Sequence, residues 1–493
     1  RDSSTSRGLG DVYKRQGRVR KRILAAVLAV GLAAAPAAVV SADEEETGVN
    51  PADQREIERQ TAYAIPPDTN SLAGWPQGPS VYGDSAIVMD MDSGAIVYGK
   101  QIDKRHYPAS ITKILTMLVA LENSQLTDEV LFSEDSVSFL EYGDAHIGMT
   151  PGEIISMEDA YYGMLLASAN EVSYAVAENV GKLMGGDYNT FIQEMNDRSA
   201  ELGCTGSHWV NANGLHDENH YTTAHDMALI TSAVYQYDEY RNVVQSRSHT
   251  IPPTNLVNES RTFQQNHKMI WPQNDNYYEY CTGGKTGYTD QARTTLVTTA
   301  DNGDLRLAAV VLYDFGNDAY IDTRAMFDYV YNNFSKVMLA DQETPEEIDS
   351  YSENDSYVLL PAGIEFSDLE KEIEITDEQS REGTVTYTYQ GQNVGSADVV
   401  LTKEYVTEKT GHDYTMQVKK GAAASDVKAG AVTLALKIVI GIGAAFVVLV
   451  ILLAVYIWQV RRRRMLRRRR RQLRRRREMR QNAAKRSVYR EKR

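Results

Sequence analysis

Pro108-Ala-Ser-Ile-Thr-Lys113 runs directly into the apolar stretch 114–121, and the pair Ser110/Lys113 within it decides how the rest of the chain is read. On a helix, positions i and i+3 lie one turn apart on the same face, so the lysine amine can reach the serine hydroxyl. A hydroxyl is a weak nucleophile until a base within hydrogen-bond reach takes its proton. Alone the spacing carries little weight, because average composition gives any serine a lysine at i+3 about one time in twenty. A solvated Ser and Lys on a helix face would look the same.

Two further stretches change that weight. Ser168-Ala-Asn170 sits inside Met164-Leu-Leu-Ala-Ser-Ala-Asn-Glu171, where two polar side chains interrupt a strongly apolar helical pattern. Lys285-Thr-Gly287 follows Gly283-Gly284 and precedes Tyr288, at the start of an expected strand; glycines there let another backbone or a substrate come close. Each is weak alone. Ser-x-x-Lys, Ser-x-Asn and Lys-Thr-Gly in that order are a strong signal of acyl-transfer chemistry.

The surroundings predict where these motifs lie. Ser85-Ala-Ile-Val-Met-Asp90 and Ala95-Ile-Val-Tyr98 flank Asp92-Ser-Gly94, a hairpin signal, and residues 294–299 and 305–312 form another across Asp301-Asn-Gly-Asp304. Residues 111–122, 156–184 and 188–203 carry helical spacing of apolar residues. Strands at both ends of a domain with helices between them predict an α+β fold, an antiparallel sheet covered by helices. After Asn333 the composition shifts. Residues 343–351 read as acidic linker, and 357–418 alternate apolar and polar residues around glycine turns, predicting a small all-β domain. No internal repeat is visible.

The ends carry targeting signals. Residues 18–22 are basic, 23–40 apolar, and Val40-Ser-Ala42 precedes an acidic run, so 1–42 is read as a non-native leader plus a signal peptide cleaved after Ala42. Residues 43–81 read as a Pro-rich linker. At the other end, 421–437 read as a stalk and 438–460 as a transmembrane helix of about the 20 residues a span needs. The Arg-rich residues 461–493 would then be a cytoplasmic tail touching anionic lipid, with the catalytic part outside the cell membrane. That tail carries 19 Lys+Arg against two acids and residues 1–22 carry eight against two, so the span between is far more acidic than the net charge of −15. So acidic a body repels phosphate backbones, which argues against nucleic acid as a partner. Two cysteines, Cys204 and Cys281, are too few for a disulfide scaffold; one bridge and two free thiols both fit.

With these residues in view, the sequence resembles the serine penicillin-binding proteins, and in particular the low-molecular-mass D-alanyl-D-alanine carboxypeptidases of the DD-peptidase/β-lactamase superfamily. The resemblance covers about residues 82–334 and rests on Ala86-Ile-Val-Met-Asp90, Pro108-Ala-Ser-Ile-Thr-Lys113, Asn213-Gly-Leu-His-Asp217, His220-Tyr-Thr-Thr223 with Asp226-Met-Ala228, and Gly284-Lys-Thr-Gly-Tyr-Thr-Asp290. It implies a DD-peptidase-like catalytic domain over 82–340, followed by the all-β domain over 350–420 and the membrane helix. It further implies Ser110 as nucleophile, Lys113 as its base and Ser168 as proton relay to the leaving amine. Asn170 would hold the peptide amide, and Lys285 with Thr286 the terminal carboxylate, with Gly287 and Tyr288 completing the substrate-binding residues. The amides of Ser110 and Tyr288 would form the oxyanion hole, where one donor is typically worth about 3 kcal/mol. Lys113 must be neutral to act as a base; burial and the neighbouring cation of Lys285 push it that way.

The sequence departs from the family in two places. Ser-Ala-Asn replaces Ser-Gly-Asn, and residues 313–323 lack the arginine that pairs with the substrate carboxylate, leaving that role to Arg324, to Arg293, or to Thr286 and Lys285. The implied substrate is the peptidoglycan stem pentapeptide, with β-lactams as covalent inhibitors and no cofactor. His208, His216, His220 and His225 fall close enough together to suggest zinc, but the family-like run 213–228 explains them without a metal. Two rival functions use the same motifs: a β-lactamase, for which no convincing glutamate-bearing loop stands between Asn170 and Lys285, and a non-hydrolytic β-lactam sensor or wall-binding protein, against which stands the lack of a folded cytoplasmic domain after Trp458.

Overall fold

The computed structural model describes residues 51–412 and 414. The expected signal peptide (1–42), stalk (421–437), transmembrane helix (438–460) and basic tail (461–493) lie outside the described residues. Among the described residues, no helix is long and apolar enough to cross a membrane. The chain divides after Glu58 into two units. Of the first, the described residues are 51–58, the opening turns of helix α1 (Pro51–Ala64). The second carries the sheet and the site.

Strands β1 (Ser85–Asp90) and β2 (Ile96–Lys100) pair antiparallel across the Asp92-Ser-Gly94 turn, as the hairpin signal predicts. The chain then makes a helical excursion. It holds α2 (Lys113–Asn123), α3 (Asp135–Ser138), α4 (Met157–Leu165), α5 (Asn170–Leu183), α6 (Tyr188–Glu201), α7 (Ala224–Tyr235) and α8 (Asp238–Gln245). Two small hairpins interrupt it, β3 (Glu129–Leu131) with β4 (Ile154–Ser156) and β5 (Ser248–Ile251) with β6 (Arg261–Gln264). The chain returns as β7 (Cys281–Thr289), β8 (Arg293–Asp301) and β9 (Arg306–Asp314), closing an antiparallel sheet of order β2-β1-β9-β8-β7. This is the expected α+β architecture.

Successive side chains of a strand point to opposite faces, and here both faces are buried. Ile87 and Met89 of β1, with Ala308 and Val310 of β9, pack into one core with α2, α4, α5 and α7. Ala86 and Val88, with Leu307 and Ala309, pack into a second core with helix α9 (Asp318–Asn333) and the β-rich C-terminal region. Helix α2 is buried from Lys113 through Ala120, as an all-apolar helix inside a core must be. The C-terminal region comprises β10 (Phe334–Met338), β11 (Ile348–Tyr351), β12 (Tyr357–Pro361), β13 (Glu370–Asp377), β14 (Glu382–Tyr389) and β15 (Gln392–Leu401), and it ends in helix α10 (Lys403–Thr410). A four-stranded sheet β11-β15-β14-β13 stands beside the pair β10-β12.

Several expectations need correction. The segment 43–81, read as linker, contains α1 and a 3-10 turn (Asp68–Ser71), and its Trp75 and Val81 are buried in the second core. The helical pattern 156–184 is two helices, because the chain turns at Ser168, whose φ of 61° lies in the left-handed region that a continuous helix cannot contain. Residues 343–351 are not wholly linker, since 348–351 form β11. Region 350–420 is not all-β, since α10 follows β15; Thr402 caps its start and Gly411, at φ 76°, ends it. Lys285 lies in the middle of β7 rather than at its start.

Candidate active site

Ser110 lies in a 3-10 turn (Ala109–Thr112) that runs straight into α2, so Lys113 is the first residue of that helix. Ala109 has φ 51°, a conformation that costs a residue with a Cβ of order 1 kcal/mol and persists only when its surroundings hold it. They do. Thr295 Oγ1 donates to Pro108 O at 2.8 Å, and Thr112 Oγ1 donates to Ala109 O at 2.8 Å. Gly214 and Gly287 close in from the two sides. A Cβ on Gly214 would lie 1.9 Å from Ala109 O, and one on Gly287 would lie 2.9 Å from Ser110 N. Both positions require glycine because two backbones touch there.

Lys113 Nζ lies 3.0 Å from Ser110 Oγ and 2.8 Å from Asn170 Oδ1, and it also donates to Asn213 O. The side chain is fully buried. Burial first, and then the nearby Lys285 cation, hold its pKa well below the ordinary lysine range, while Glu171 and Asp144 act in the opposite direction. A neutral amine has two N–H bonds and one lone pair. Asn170 Oδ1 and Asn213 O can only accept, so both N–H bonds are committed to them and the lone pair is left for the Ser110 hydroxyl. The arrangement can therefore take a proton from Ser110.

Across from this pair, Lys285 Nζ donates to Ser168 Oγ at 3.0 Å and to Thr286 O at 2.7 Å. Lys285 is 1% exposed, and burial pushes its pKa down to about 7. The turn at Ser168 presents its hydroxyl to Lys285 and lets Asn170 open α5 with its side chain on Lys113. All three motifs thus meet at one place, with Thr286 half-buried in β7, Gly287 against the Ser110 turn, and the Tyr288 side chain 62% exposed at the rim. Because β7 is an edge of its sheet, a substrate backbone can lie along it.

Of the residues considered for the carboxylate, Arg324 is tied to the carbonyls of Asp275 and Tyr277 at 3.2 and 2.7 Å, and Arg293 opens β8. Lys285 touches Ser168 directly, and Thr286 follows it in β7, its carbonyl accepting from the same amine. The four histidines go to separate partners. His208 meets Asn219 O, His216 packs edge-on against Tyr107, His220 bonds Thr112 and Val210, and His225 faces Asp103. Among the described residues, no group of three His, Cys, Asp or Glu is placed to hold a metal ion. Cys204 and Cys281 are free thiols, each pushed up to about 12, chiefly by burial.

Three contributors carried no role from sequence alone: the Asn213 carbonyl on Lys113, the Thr295 hydroxyl that fixes Pro108, and Glu171 beneath Asn170. Asn213 had a signal, since Asn211, Asn213 and Gly214 are turn residues and Asn211 Oδ1 accepts the Gly214 amide at 2.7 Å. Thr295 had none.

Comparison with known proteins agrees with this geometry. A family profile described as D-alanyl-D-alanine carboxypeptidase matches residues 73–316. A D-alanyl-D-alanine carboxypeptidase of Bacillus subtilis is 28% identical over 320 residues, covering 59% of this chain and 76% of its own length. One of Mycobacterium tuberculosis is 30% identical over 264 residues, covering 52% and 83%. The fold is similar to that of penicillin binding protein 5 from Haemophilus influenzae, with a TM-score of 0.52 at 21% identity over 66% of this chain and 98% of that one. On the strength of the match to the Mycobacterium tuberculosis relative over most of its length, the chain belongs to the D-alanyl-D-alanine carboxypeptidase family.

Proposed function

We propose that Ser110 is the nucleophile of a serine-type D-Ala-D-Ala carboxypeptidase acting on peptidoglycan stem pentapeptides. The observation that carries this reading is the environment of Lys113, a buried amine whose one hydrogen-bonded neighbour able to donate to its lone pair, among the described residues, is the Ser110 hydroxyl at 3.0 Å. Ser110 Oγ attacks the carbonyl between the two terminal D-alanines as its proton passes to Lys113. The C–N bond then breaks as the leaving amine takes that same proton back from Lys113, relayed through Ser168, so that Lys113 is neutral again. Water attacks the resulting ester as its proton goes to Lys113, and Lys113 returns the proton to Ser110 Oγ as the ester C–O bond breaks. The Lys285 ammonium and Thr286 hydroxyl suit the substrate carboxylate, a charge-assisted contact worth about 1.5–3 kcal/mol. β-Lactams would acylate the same serine.

The enzyme is placed on the outer face of the cytoplasmic membrane, held by residues 438–460 with the basic tail inside. That reading rests on the sequence, on the apolar run and the arginines that follow it. The β-rich region would hold the catalytic sheet toward the wall.

The test is release of free D-alanine from a pentapeptide ending in D-Ala-D-Ala by the full chain, beside Ser110→Ala. Release should vanish in the variant together with labelling by a fluorescent penicillin. Full labelling of Ser110→Ala would reject the nucleophile, and stable labelling of the parent without D-alanine release would favour a sensor.

A further inference from the structure

Glu171 stands directly after the Ser168-Ala-Asn170 motif, and its side chain is fully buried. A carboxylate is almost never buried without a specific partner. Here Oε1 accepts the Ile147 amide at 2.7 Å, and Oε2 has no hydrogen-bond partner among the described residues. The residue before it, Asn170, donates its own amide to Ala145 O at 2.8 Å. The loop 145–149 is therefore tied to the first turn of α5 at two consecutive residues, and that turn carries the Asn170 side chain on Lys113.

The charges point the same way. Lys113 and Lys285 are both buried, and two cations in one dry site are costly unless one is neutral or an anion lies near. Glu171 is the buried carboxylate that acts on Lys113. The other charged or titratable groups facing Lys113 are Lys285 on β7, Asp144 on the loop, and His220, while His146 faces Glu171. Burial raises the Glu171 carboxyl, and the amides around it counter that effect.

We propose that Glu171 is a positioning residue of the active site, which clamps loop 145–149 beneath Asn170 and supplies a buried negative charge that acts on Lys113. Its role is exerted through Lys113, so the inference rests on Ser110 and Lys113 being the reacting pair. The negative charge keeps Lys113 from becoming too weak a base, while the clamp holds Asn170 in register with it.

The experiment is the pH profile of acylation by a fluorescent penicillin, measured on the full chain for wild type, Glu171→Gln and Glu171→Met. Gln keeps an acceptor for the Ile147 amide but removes the charge; Met fills the volume with neither and serves where Gln fails to fold. Without the charge, Lys113 stays neutral to lower pH, so the acid limb should move down by about one pH unit in either variant. Glu171→Met should in addition acylate about tenfold more slowly than Glu171→Gln, because it alone leaves the buried Ile147 amide without its acceptor. An unmoved acid limb in a folded variant overturns the charge role, and equal rates for Gln and Met overturn the clamp. Ser110→Ala run alongside separates the two levels: retained labelling there would sink the reading of the site itself, whereas lost labelling with an unmoved limb sinks only the role of Glu171.

Discussion

Lys285 Nζ donates to Ser168 Oγ at 3.0 Å, joining the second and third motifs across 117 residues of sequence. Ser168 thus faces a cation on one side, while its neighbour Asn170 faces Lys113 on the other. The site is one hydrogen-bonded unit in which each lysine has a different task, and their environments set the difference. Lys113 has two carbonyl oxygens and a hydroxyl around it, and burial and the Lys285 cation push its pKa well below the ordinary lysine range. Lys285 titrates near pH 7.

That value sets a direction for substrate binding. A lysine holds its proton below its pKa, so the Lys285 ammonium is present below about pH 7 and is lost above it. If it binds the terminal carboxylate, KM for the pentapeptide should rise by about tenfold between pH 6.5 and 8.5, the loss of one charge-assisted contact. Steady-state kinetics across that range checks it. A KM that stays level through pH 8.5 would assign the carboxylate to another group.

Gly214 tests how tightly the Ser110 turn is held. Its φ of 83° and the 1.9 Å that would separate a Cβ from Ala109 O mean that Gly214→Ala must move backbone. The shift would carry the Asn213 carbonyl off Lys113. We expect a loss of about 1–3 kcal/mol of stability, the usual size for overpacking, and acylation at least about tenfold slower. Urea unfolding and penicillin labelling measure the two. Unchanged values for both would mean that the loop relaxes freely and does not position the base.

Much of this arrangement was legible before any coordinates, and the reason differs from residue to residue. Ser110 and Lys113 could be paired because helical geometry fixes an i,i+3 contact locally. The sheet could be anticipated from the short apolar runs in 85–90 and 305–312 beside turn residues, the pattern of strands buried on both faces. Ser168 was placed correctly but in the wrong backbone, because apolar spacing continues across 156–184 and does not register a single left-handed residue. Helix α1 was missed because its 14 residues are mostly polar, leaving no apolar stripe to read. Strand β11 was missed because the acidic Asp349 and Ser350 face outward and only Ile348 is buried. Thr295 and Glu171 act through contacts made only after distant segments pack, and nothing local announces such contacts; for Asn213 the turn residues Asn211 and Gly214 announce the turn but not its contact with Lys113.

His220 gives a stability prediction with a definite sign. Thr112 Oγ1 spends its proton on Ala109 O, so it accepts from His220 Nε2–H at 2.8 Å, while Nδ1 accepts from the Val210 amide at 3.1 Å. A second ring proton would set two donors against each other. With burial as the main cause, the folded-state pKa falls to about 3. The unfolded chain binds this proton near pH 6.5, so the stability His220 contributes is present above that pH and is lost as pH falls toward 3, at about 1.4 kcal/mol per pH unit. His220→Asn should be less stable than wild type at pH 7, and the gap should narrow steadily down to pH 4. A gap of constant size would show that His220 is protonated in the folded protein.

Tyr357 tests how the β-rich region is joined to the catalytic sheet. Its hydroxyl donates to Asp90 Oδ2 at 2.8 Å, beside the Ser93 amide and hydroxyl at 2.9 and 2.7 Å, and Asp90 is fully buried at the end of β1. Burial raises the Asp90 carboxyl, and these three donors pull it back. Tyr357→Phe removes one of them from a carboxylate that water cannot reach, at a cost of about 1–3 kcal/mol. The register places Asp90 opposite Leu307 and the start of β7, while Lys285 lies four residues further along that strand. That is about 13 Å along the strand, and three strand spacings add about 14 Å across the sheet, so the two residues lie about 19 Å apart. The variant should therefore unfold at lower urea while its rate of penicillin acylation stays at the wild-type value. Slower acylation at unchanged stability would mean that the junction between the β-rich region and the sheet feeds into the site, and that Asp90 holds the catalytic residues rather than the interface.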